Sequence, residues 1–576
     1  MKPQIKLFEV PHIDSIQDML IKSENLHQSK LALEDLTSYP ISKLSYKELL
    51  EHVLKFGKAL EQLGIKPRTH ISLIGENRVQ WGIAYLTAMA FNHIVVPIDK
   101  NLSSNEILNI IHESDSESII FSDSYSGLIK ESKNVFKNLK HFVSMDLPGE
   151  NEWVYSMPQL IKESPPAHLS ELPKINPNDI AEIIFTSGSL GRAKGVMLSQ
   201  KNIASNLMAM TKMIQITAED KFLSVLPIHH TYECTCGFLC PLFMGSSVHY
   251  ARSLKTVAED MQRAKPTIFL GVPLLYDKLF KRVMKGIQED KVKSKVVPPL
   301  LKISSIAEKF GWKNLPRIIF KELHERFGGN VRLFIVGGAA PDPKVAKGLR
   351  EFGFNFVQGY GLTETSPILT LNQIDNFKDD AAGIPLSGIE IKINNPTPDG
   401  IGEIFAKGPS IMLGYYKNDL LTDEAIENGW FKTGDLGYFD QDGFLHIAGR
   451  KKNVIIAKDG KNVFPEEIED ILHRSPFILE VLVAGEKDAK HDEVITAQIV
   501  TDAEAFIEYS NIHNTPITKD LIHQIVSEEI KKANKELPVY KQIRKFMVRE
   551  KEFEKTTTQK IKRYLVSKGA EVGEEL

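Results

Sequence analysis

TSGSLGRAKG, at residues 186–195, is the most informative segment of this chain. An apolar, strand-like run at 181–185 comes directly before it, and apolar residues at helical spacing follow Ser199. Glycines let backbone N–H groups approach an anion closely, hydroxyl side chains add donors, and Lys194 adds a positive charge. The order strand, glycine-rich loop, helix therefore predicts a binding site for the phosphates of a nucleoside triphosphate.

The loop does not fit the P-loop of kinases and GTPases, G-x-x-x-x-G-K-[ST]. Gly191 lies three residues before Lys194, and Gly195 stands where a P-loop has its magnesium-binding Ser or Thr. The order of hydroxyls and glycines resembles instead the phosphate loop of the acyl-adenylating superfamily, TSG[ST]TGxPKG, with departures at Leu190 and Ala193. Taken alone, the segment also has a simpler interpretation as a glycine-rich surface loop without a ligand.

Five further segments resemble motifs of this superfamily, which contains acyl-CoA synthetases, luciferases and peptide-synthetase adenylation domains. They occur in the superfamily's order, so the resemblance covers most of the chain. The segments are QGYGLTETSP at 358–367 for adenine and magnesium, WFKTGDLG at 430–437 for ribose, GRKKN at 449–453 for an interdomain hinge, KDGKNVFPEE at 458–467 for the loop and helix after the hinge, and TTQKIKR at 557–563 for a C-terminal lysine.

The resemblance implies an ATP site built from several of these segments. Tyr360 would stack on the adenine, next to Gly361, and the backbone of residues 338–340 would border the same base. The implied contacts are Gly338, Ala339, Ala340, Tyr360 and Gly361 with the adenosine, Thr363 with the α-phosphate, Asp435 and Arg450 with the ribose hydroxyls, and Thr186, Ser187, Gly188, Ser189 and Lys194 with the β- and γ-phosphates.

The resemblance also implies a reaction in two halves. A carboxylate oxygen attacks the α-phosphorus of ATP and magnesium pyrophosphate leaves, a step that depends on positioning and charge neutralisation. Glu364 and Thr186 would hold Mg²⁺, a hard cation that prefers oxygen ligands, and Lys560 would bind the carboxylate and α-phosphate oxygens. In the second half the small domain turns about Lys452, and Gly460 lines a tunnel for the pantetheine of coenzyme A.

Two segments point to the acyl substrate. ENRVQW at 76–81 and LPIHHTYE at 226–233 resemble long-chain fatty-acyl-CoA synthetases more than acetate, aryl or amino-acid activators. His230 matches the histidine that borders the acyl site, and a hydrogen-bonded structural histidine is the alternative. Apolar residues at 237–243 fit an acyl tunnel or ordinary core, and from the sequence alone core is the better interpretation. The implied activity is fatty-acyl-CoA synthesis, for medium or long chains.

Two other functions stay open at this point. An acyl–acyl-carrier-protein synthetase, or another ligase that passes its adenylate to a thiol, would use the same chemistry. A weakly catalytic nucleotide- or acyl-binding protein is the alternative from a different class, and the departures at Leu190, Ala193 and Gln559 are the features that favour it.

Composition narrows the class of protein further. The chain has 576 residues, too many for one core, with 25% charged and 42% hydrophobic residues. A net charge of −3 gives no general attraction for nucleic acid, and we expect no such partner. We find no long apolar run and no apolar h-region after Met1, so we expect neither a membrane span nor a signal peptide, and a cytoplasmic location.

The three cysteines lie close together as Cys234-x-Cys236-x-x-x-Cys240. A metal site is one interpretation, because His229 and His230 come just before them. Burial is the better one, because the segment is apolar and free cysteine is among the most buried residue types. We expect reduced thiols and no disulfide framework.

The apolar pattern predicts an α/β fold. Helix-like segments at 46–63 and 79–91 alternate with apolar runs at 70–74, 94–98 and 118–121. Short apolar strands that alternate with helices are typical of parallel sheets with helices on both faces. The resemblance adds a distorted β-barrel to this layered N-terminal body.

After about residue 383 the pattern becomes β-like, with strands predicted at 389–393 and 403–405 and a hairpin turn at 441–443. Pro465, followed by two glutamates, reads as the first position of a helix. We predict an adenylation domain at 1–451 and a small, mobile α+β domain at 452–576.

One segment is strongly basic. Residues 278–321 contain twelve Lys or Arg and three Asp or Glu, with apolar residues between them. A solvated insertion and a peripheral contact with an anionic membrane surface are both consistent with this pattern. Residues 531–563 are basic as well, which suits the phosphates of coenzyme A or an acidic carrier protein.

Overall fold

The structure is a computed structural model that divides into two compact units. The large unit consists of Met1–Ile391, Ala406–Phe431 and Gln441–Leu445, and the small unit of Lys392–Phe405, Lys432–Asp440 and His446–Leu576. The domain division predicted at 451/452 stays a prediction. The described residues are 5–37, 42–147, 149, 152–186, 193–309, 312, 314–457, 460–487, 493–555, 561–566 and 574–575.

An eight-stranded sheet carries the phosphate-loop segment. The strands predicted at His70–Ile74, Ile94–Ile98 and Ser118–Phe121 are present and parallel, as the alternating pattern indicates. They are short and almost wholly buried, which suits a sheet covered on both faces. In order across the sheet, the described strands are Gly414–Tyr415, Lys194–Ser199, Ile180–Thr186, Ile94–Ile98, His70–Ile74, Ser118–Phe121, His141–Ser144 and Tyr155–Ser156.

A nine-stranded sheet carries the predicted adenine segment. Its central strands are parallel, and antiparallel strands close both edges. In order, its described strands are Ile384–Pro385, Ile368–Leu371, Asn355–Gly361, Leu333–Val336, Ile268–Gly271, Lys221–Ser224, Ser247–Tyr250, Leu31–Asp35 and Lys43–Ser45.

Capping residues fix the starts of several helices in the large unit. Ser45 with Glu48, and Ser103 with Glu106, form reciprocal capping boxes. Helix Val79–Ala90 is buried at every position, as expected for a helix that is apolar all round. The longer helices are Ile16–His27, Tyr46–Gln62, Val79–Ala90, Ser104–Glu113, Gln200–Met213, Val257–Ala264, Pro273–Glu289, Lys293–Lys309 and Pro343–Glu351, and the shorter ones Ser126–Ser132, Met157–Glu163, Cys240–Phe243, Leu315–Ile319, Lys321–Arg326 and Asp419–Ala425.

The β-like region after residue 383 forms a five-stranded sheet. The hairpin predicted around 441–443 is present, because strand Leu445–Arg450 pairs with Trp430–Phe439. The hydrogen-bonded path between the described strands is open. Its order is Glu390–Asn394, Gly402–Lys407, Trp430–Phe439 and Ile426–Glu427, with Leu445–Arg450 paired to the third.

The C-terminal part of the small unit is α+β. Helix Pro465–Leu472 begins at the predicted proline, with Glu466 and Glu467 in its first turn. Its sheet combines antiparallel and parallel pairing around Glu493–Thr501. The remaining elements are strands Ile455–Ile456, Asn462–Val463, Ile478–Lys487, Lys545–Arg549 and Glu574–Glu575, and helices Ala503–His513, Lys519–Glu536 and Arg563–Val566.

The part of the chain that the structure describes contains no helix long and apolar enough to cross a membrane.

Candidate active site

The phosphate-loop segment joins two antiparallel strands. Ile180–Thr186 and Lys194–Ser199 pair so that Thr186 lies opposite Lys194. The predicted order of strand, loop and helix is therefore wrong in one respect, because a strand follows the loop and the helix starts only at Gln200. The reason is the alternation of residues 195–199, which buries Val196 and Leu198 in the sheet. Ser187, Gly188 and Ser189 lie outside the described residues.

Tyr415 connects the end of this loop to the predicted magnesium ligand. Its hydroxyl donates a hydrogen bond of 3.0 Å to Oε1 of Glu364. The Lys194 ammonium lies 5.1 Å from the centre of the Tyr415 ring, in cation–π range. Gly414 and Tyr415 pair with Met197 and Val196 at the edge of the eight-stranded sheet. The structure thus brings Lys194 and Glu364, which the sequence proposed separately, into contact with one aromatic side chain.

The turn that contains Glu364 also contacts the segment after His230. The Thr231 hydroxyl lies 3.4 Å from the Thr363 hydroxyl, and both side chains are buried. His230 is half-buried, and its Nδ1 lies 3.4 Å from the backbone N–H of Tyr232. The predicted acyl-site histidine is therefore the direct neighbour in sequence of Thr231, which contacts Thr363 of the predicted α-phosphate segment.

The predicted adenine segment lies at the carboxyl edge of parallel strands. Strands Leu333–Val336 and Asn355–Gly361 are neighbours, so residues 338–340 and Tyr360 follow the same edge of the sheet. Ligands of α/β proteins commonly bind at such edges. Gly338 has a φ of +86° and is exposed together with Ala339 and Ala340.

The backbone around Gly361 leaves no space for a side chain. A Cβ at this position would overlap the carbonyl oxygen of Pro367, a backbone atom that cannot turn away. Glycine is therefore required where the strand passes this segment. The requirement is one of packing, and it sets the path that leads from Tyr360 to Thr363.

An apolar cavity of about 30 Å³ lies beside these segments in the large unit. Tyr232, Cys236 and Cys240 contribute to its wall, whereas Phe238, Leu239, Leu242 and Phe243 are core residues with at most 4% exposure. The core interpretation of residues 237–243 is thus the better one. Other wall residues come from further elements: Met210, Ile214, Phe222, Gly359, Ile368 and Leu371.

The segment from Tyr232 to Leu239 is a π-helix. π-Helical turns are rare and often occur at functional sites. Here the widened turn contains a buried carboxyl group, Glu233, which is 1% exposed. Burial raises the pKa of Glu233 to about 8, and a hydrogen bond from the Ser224 hydroxyl opposes this rise.

A second buried carboxyl group lies in the same unit. Burial raises the pKa of Glu182 to about 8, and the Tyr85 hydroxyl donates to it at 3.3 Å. Neither group was predicted from the sequence. The available signals were a glutamate at 233, next to an apolar cysteine-rich run, and a glutamate at 182, inside the apolar run 181–185.

The three cysteines are free and buried, as expected from their apolar surroundings. Burial raises the pKa of all three thiols, which keeps them protonated. Among the described residues, no three His, Cys, Asp or Glu side chains are grouped closely enough to bind a metal ion.

The predicted ribose residues lie in the small unit and contact each other. Asp435 is 4% exposed and accepts a hydrogen bond of 2.6 Å from Nε of Arg450. Gly434, with a φ of +72°, turns the strand just before it. A charge-assisted hydrogen bond of this kind fixes the orientation of the Asp435 carboxylate.

The predicted hinge and tunnel residues are also in the small unit. Lys452 is exposed in a short 3₁₀ turn at 451–453. Gly460 has a φ of +77°, and a Cβ there would meet no described atom within 4 Å. Lys560 lies outside the described residues. Arg563, at the end of the same motif, donates a hydrogen bond to the buried Glu469 and another of 2.9 Å to the carbonyl of Val483.

The large unit combines a layered α/β fold with glycine-containing segments at the carboxyl edge of parallel strands, an arrangement typical of nucleotide-binding enzymes. The AMP-binding enzyme family matches residues 22–416, and the AMP-binding enzyme C-terminal domain matches residues 452–569. The chain belongs to the AMP-binding enzyme family. It is an AMP-forming acid–thiol ligase, so the predicted family, fold class and enzyme class are confirmed.

Individual relatives agree with this placement. A long-chain-fatty-acid–CoA ligase of Mycobacterium bovis is 26% identical over 591 residues, which cover 97% of this chain and 96% of the relative. A chloroplastic long-chain-fatty-acid–[acyl-carrier-protein] ligase of Arabidopsis thaliana is 28% identical over 545 residues, with 82% and 75% covered. The fold of an anthranilate CoA ligase bound to anthranoyl-AMP is similar, with a TM-score of 0.78, 20% identity and 97% and 98% covered.

Proposed function

We propose that the protein is an ATP-dependent fatty-acyl-CoA synthetase for medium- or long-chain acids. It would convert the acid to acyl-AMP with release of pyrophosphate, and then transfer the acyl group to the thiol of coenzyme A. The named relatives support this substrate class. The observation that carries the proposal is the contact of Tyr415 with both Lys194 and Glu364.

The residues around Glu364 fit a magnesium ion. One carboxylate oxygen accepts from Tyr415, and the side chain is half-exposed, so a cation can reach it from solvent. Mg²⁺ typically takes one or two carboxylates together with substrate phosphates, so a single protein carboxylate suffices. Bound there, the ion would neutralise charge on the pyrophosphate leaving group. Thr186, which lies opposite Lys194, would add a hydroxyl oxygen as a second ligand of the ion.

The chain's own residues then have separate tasks in adenylation. Lys194 would hold the terminal phosphates, Tyr360 the adenine, and Asp435 the ribose hydroxyls. The carboxylate oxygen of the acid forms a bond to the α-phosphorus while the bond to the β-phosphate oxygen breaks. Lys560 would stabilise the added negative charge, which is greatest in the transition state.

Thioester formation would use other residues. The thiol of coenzyme A attacks the acyl carbon, AMP leaves with the bonding electrons, and the thiol proton passes to a base or water. Lys452 would act at the hinge. Gly460 would let the pantetheine arm pass, which its open surroundings in the small unit support.

The decisive experiment is acid-dependent pyrophosphate release. Purified protein with Mg²⁺, ATP and a panel of acids from acetate to palmitate should release pyrophosphate and form AMP, most rapidly with medium or long chains. Formation of ADP, or ATP binding without any acid-dependent release, would contradict the proposal. The first result would indicate a kinase or ATPase and the second a binding protein.

A second candidate is an acyl–acyl-carrier-protein synthetase. It is favoured by the chloroplastic relative and by the twelve basic and four acidic residues at 531–563. Incubation with ATP, palmitate and either coenzyme A or holo carrier protein, followed by mass spectrometry, separates the two. Acylation of the carrier alone would overturn the coenzyme A assignment.

We also propose a cytoplasmic location with a peripheral contact at the inner face of a membrane. Three free, buried thiols suit a reducing compartment. The basic residues between Lys278 and Lys321 would supply the contact.

A further inference from the structure

The helix Lys293–Lys309 has apolar residues on two sides. On the inner side Val297, Leu300 and Leu301 pack against a core cluster of the large unit. The Ser304 hydroxyl donates a hydrogen bond to the carbonyl of Glu351, which fixes the rotation of the helix. The inner side therefore accounts for the folding of this helix but not for its remaining apolar residues.

The outer side carries an exposed apolar row. Val292, Val296, Pro299, Ile303 and Ile306 follow one another at spacings of four, three, four and three residues, which places them on one face of a helix. Their exposures are 69% for Val292, 48% for Val296, 48% for Ile303 and 55% for Ile306, and Pro299 is exposed as well. We call this row the outer stripe.

Positive charge predominates beside the outer stripe, although Asp290 accepts a hydrogen bond from the backbone N–H of Val292 and Glu322 pairs with Lys293. Lys291, Lys295 and Lys302 are exposed next to it, and no Asp or Glu occurs between residues 291 and 307. Trp312 and Ile318, exposed by 65% and 70%, follow in the same basic segment. An apolar helix face flanked by lysines, with a tryptophan close by, is typical of helices that lie in a membrane interface.

We propose that the outer stripe binds the surface of a lipid bilayer that contains anionic lipids. The apolar row inserts below the headgroups, and the lysines pair with lipid phosphates. The inference rests on the proposed function in one respect, because long-chain acids partition into bilayers and an enzyme held there meets its substrate. A second copy of the chain is the less suitable occupant, since pairing two stripes would bring lysines close to lysines.

Vesicle binding tests the proposal. The full-length protein is floated with phosphatidylcholine vesicles, with or without about one third phosphatidylglycerol. The wild type should bind the anionic vesicles, and the double variant Val296→Glu with Ile303→Glu should bind about tenfold more weakly. Changing Lys291, Lys295 and Lys302 to Gln should reduce the preference for anionic over neutral vesicles.

Matched controls separate the stripe from general surface effects. Leu26→Glu with Val135→Glu makes the same chemical change at two other exposed apolar positions, with exposures of 68% and 75%. The control for the charge change is the same Lys-to-Gln substitution at three other exposed positions, Lys47, Lys66 and Lys130. Unchanged binding of the stripe variant, or equal loss in a control, overturns the proposal. A wild-type dimer that the stripe variant abolishes overturns it in favour of self-association.

Pyrophosphate release from dissolved octanoate, measured without vesicles, is the independent readout. It should be the same in the wild type and in all variants, because the outer stripe is not part of the candidate active site. If release is absent while vesicle binding behaves as expected, the proposed function is wrong and the membrane contact stands. If release is normal and vesicle binding is insensitive to the stripe, only the membrane contact is wrong.

Discussion

At the scale of single residues, the proposed magnesium site depends on the Tyr415 hydroxyl. Its bond of 3.0 Å holds the Glu364 carboxylate in place. Tyr415→Phe removes that bond and keeps the ring over which Lys194 lies. A hydrogen bond to a charged group contributes about 1.5 kcal/mol, so the Mg²⁺ concentration for half-maximal rate should rise roughly tenfold. The Michaelis constant for ATP at saturating Mg²⁺ should change little.

Tyr416, the next residue along the chain, is a matched control for this change. Its hydroxyl donates a hydrogen bond of 2.7 Å to Asp115 and not to Glu364. Tyr416→Phe should leave the Mg²⁺ dependence unaltered, measured as pyrophosphate release across a Mg²⁺ titration. An identical shift in both variants would show that Tyr415 acts through general stability and not through Glu364.

Individual site residues could be proposed from the sequence where a short motif contains them. Glu364 lies in QGYGLTETSP and Lys194 in the phosphate loop, so each could be proposed from its neighbours in sequence, and both roles stay predictions. Tyr415 could not be proposed in this way, because its position depends on the pairing of strand Gly414–Tyr415 with residues 196–197. No local sequence pattern specifies that pairing. The buried carboxyl group of Glu233 was not predicted for a related reason, since its burial depends on the tertiary packing of a π-helix.

At the scale of elements, periodicity predicted the buried parallel strands well. The predicted runs 70–74, 94–98 and 118–121 match the observed strands residue for residue. The strand Lys194–Ser199 was missed, because it is short and merges with the helix that starts at Gln200. The strand and the helix are each apolar on one face. Only the pairing of residues 194–199 with Ile180–Thr186 shows that they form a strand.

The passage of strand Asn355–Gly361 beside Pro367 gives an element-scale prediction. Gly361→Ala places a Cβ in overlap with a backbone oxygen, so the strand end must move. We expect a loss of about 2 to 4 kcal/mol in unfolding free energy, as for strong overpacking, and a fall in adenylation rate. Urea denaturation and pyrophosphate release measure the two effects.

Gly127→Ala is the control for this substitution. A Cβ at Gly127 meets no described atom within 4 Å, and this glycine does not have a positive φ. It should change stability by less than about 1 kcal/mol and leave the adenylation rate intact. Wild-type stability in Gly361→Ala would refute the packing argument.

At the scale of the whole molecule, the buried carboxyl groups tie stability to pH. The pKa of Glu233 rises from its ordinary value of 4.5 to about 8 in the folded protein. Between these two values the unfolded chain has lost the proton and the folded chain keeps it, so stability falls as pH rises through this window. Glu233→Gln cannot ionise, and it should exceed the wild type in stability at pH 8 by on the order of 2 kcal/mol.

The test compares urea unfolding at about pH 5.5 and about pH 8. The advantage of Glu233→Gln should shrink at the lower pH, where the wild-type carboxyl is protonated in the folded state and partly so in the unfolded one. Glu424→Gln, at an exposed position, controls for the loss of one charge. An advantage that is the same at both pH values would mean that Glu233 is not protonated in the folded protein.

The proposed turn of the small domain about Lys452 predicts that its residues serve different half-reactions. Lys560→Ala should abolish adenylate formation but allow thioester formation from supplied acyl-AMP, because its charge is needed only while the α-phosphate is attacked. Gly460→Leu should do the reverse, since a bulky side chain obstructs the pantetheine arm. Pyrophosphate release and thioester formation are measured separately for each variant.

Gly460→Ala makes the second variant interpretable. Gly460 has a φ of +77°, so Ala and Leu both incur the backbone penalty of about 1 kcal/mol for a left-handed conformation. Open space surrounds the Cβ position within the described small unit, so only Leu adds bulk that reaches further. The ratio of thioester rates between Gly460→Ala and Gly460→Leu then reports obstruction alone, and we expect at least about tenfold. Equal loss of both half-reactions in Lys560→Ala and in Gly460→Leu would mean that one arrangement of the chain performs both steps.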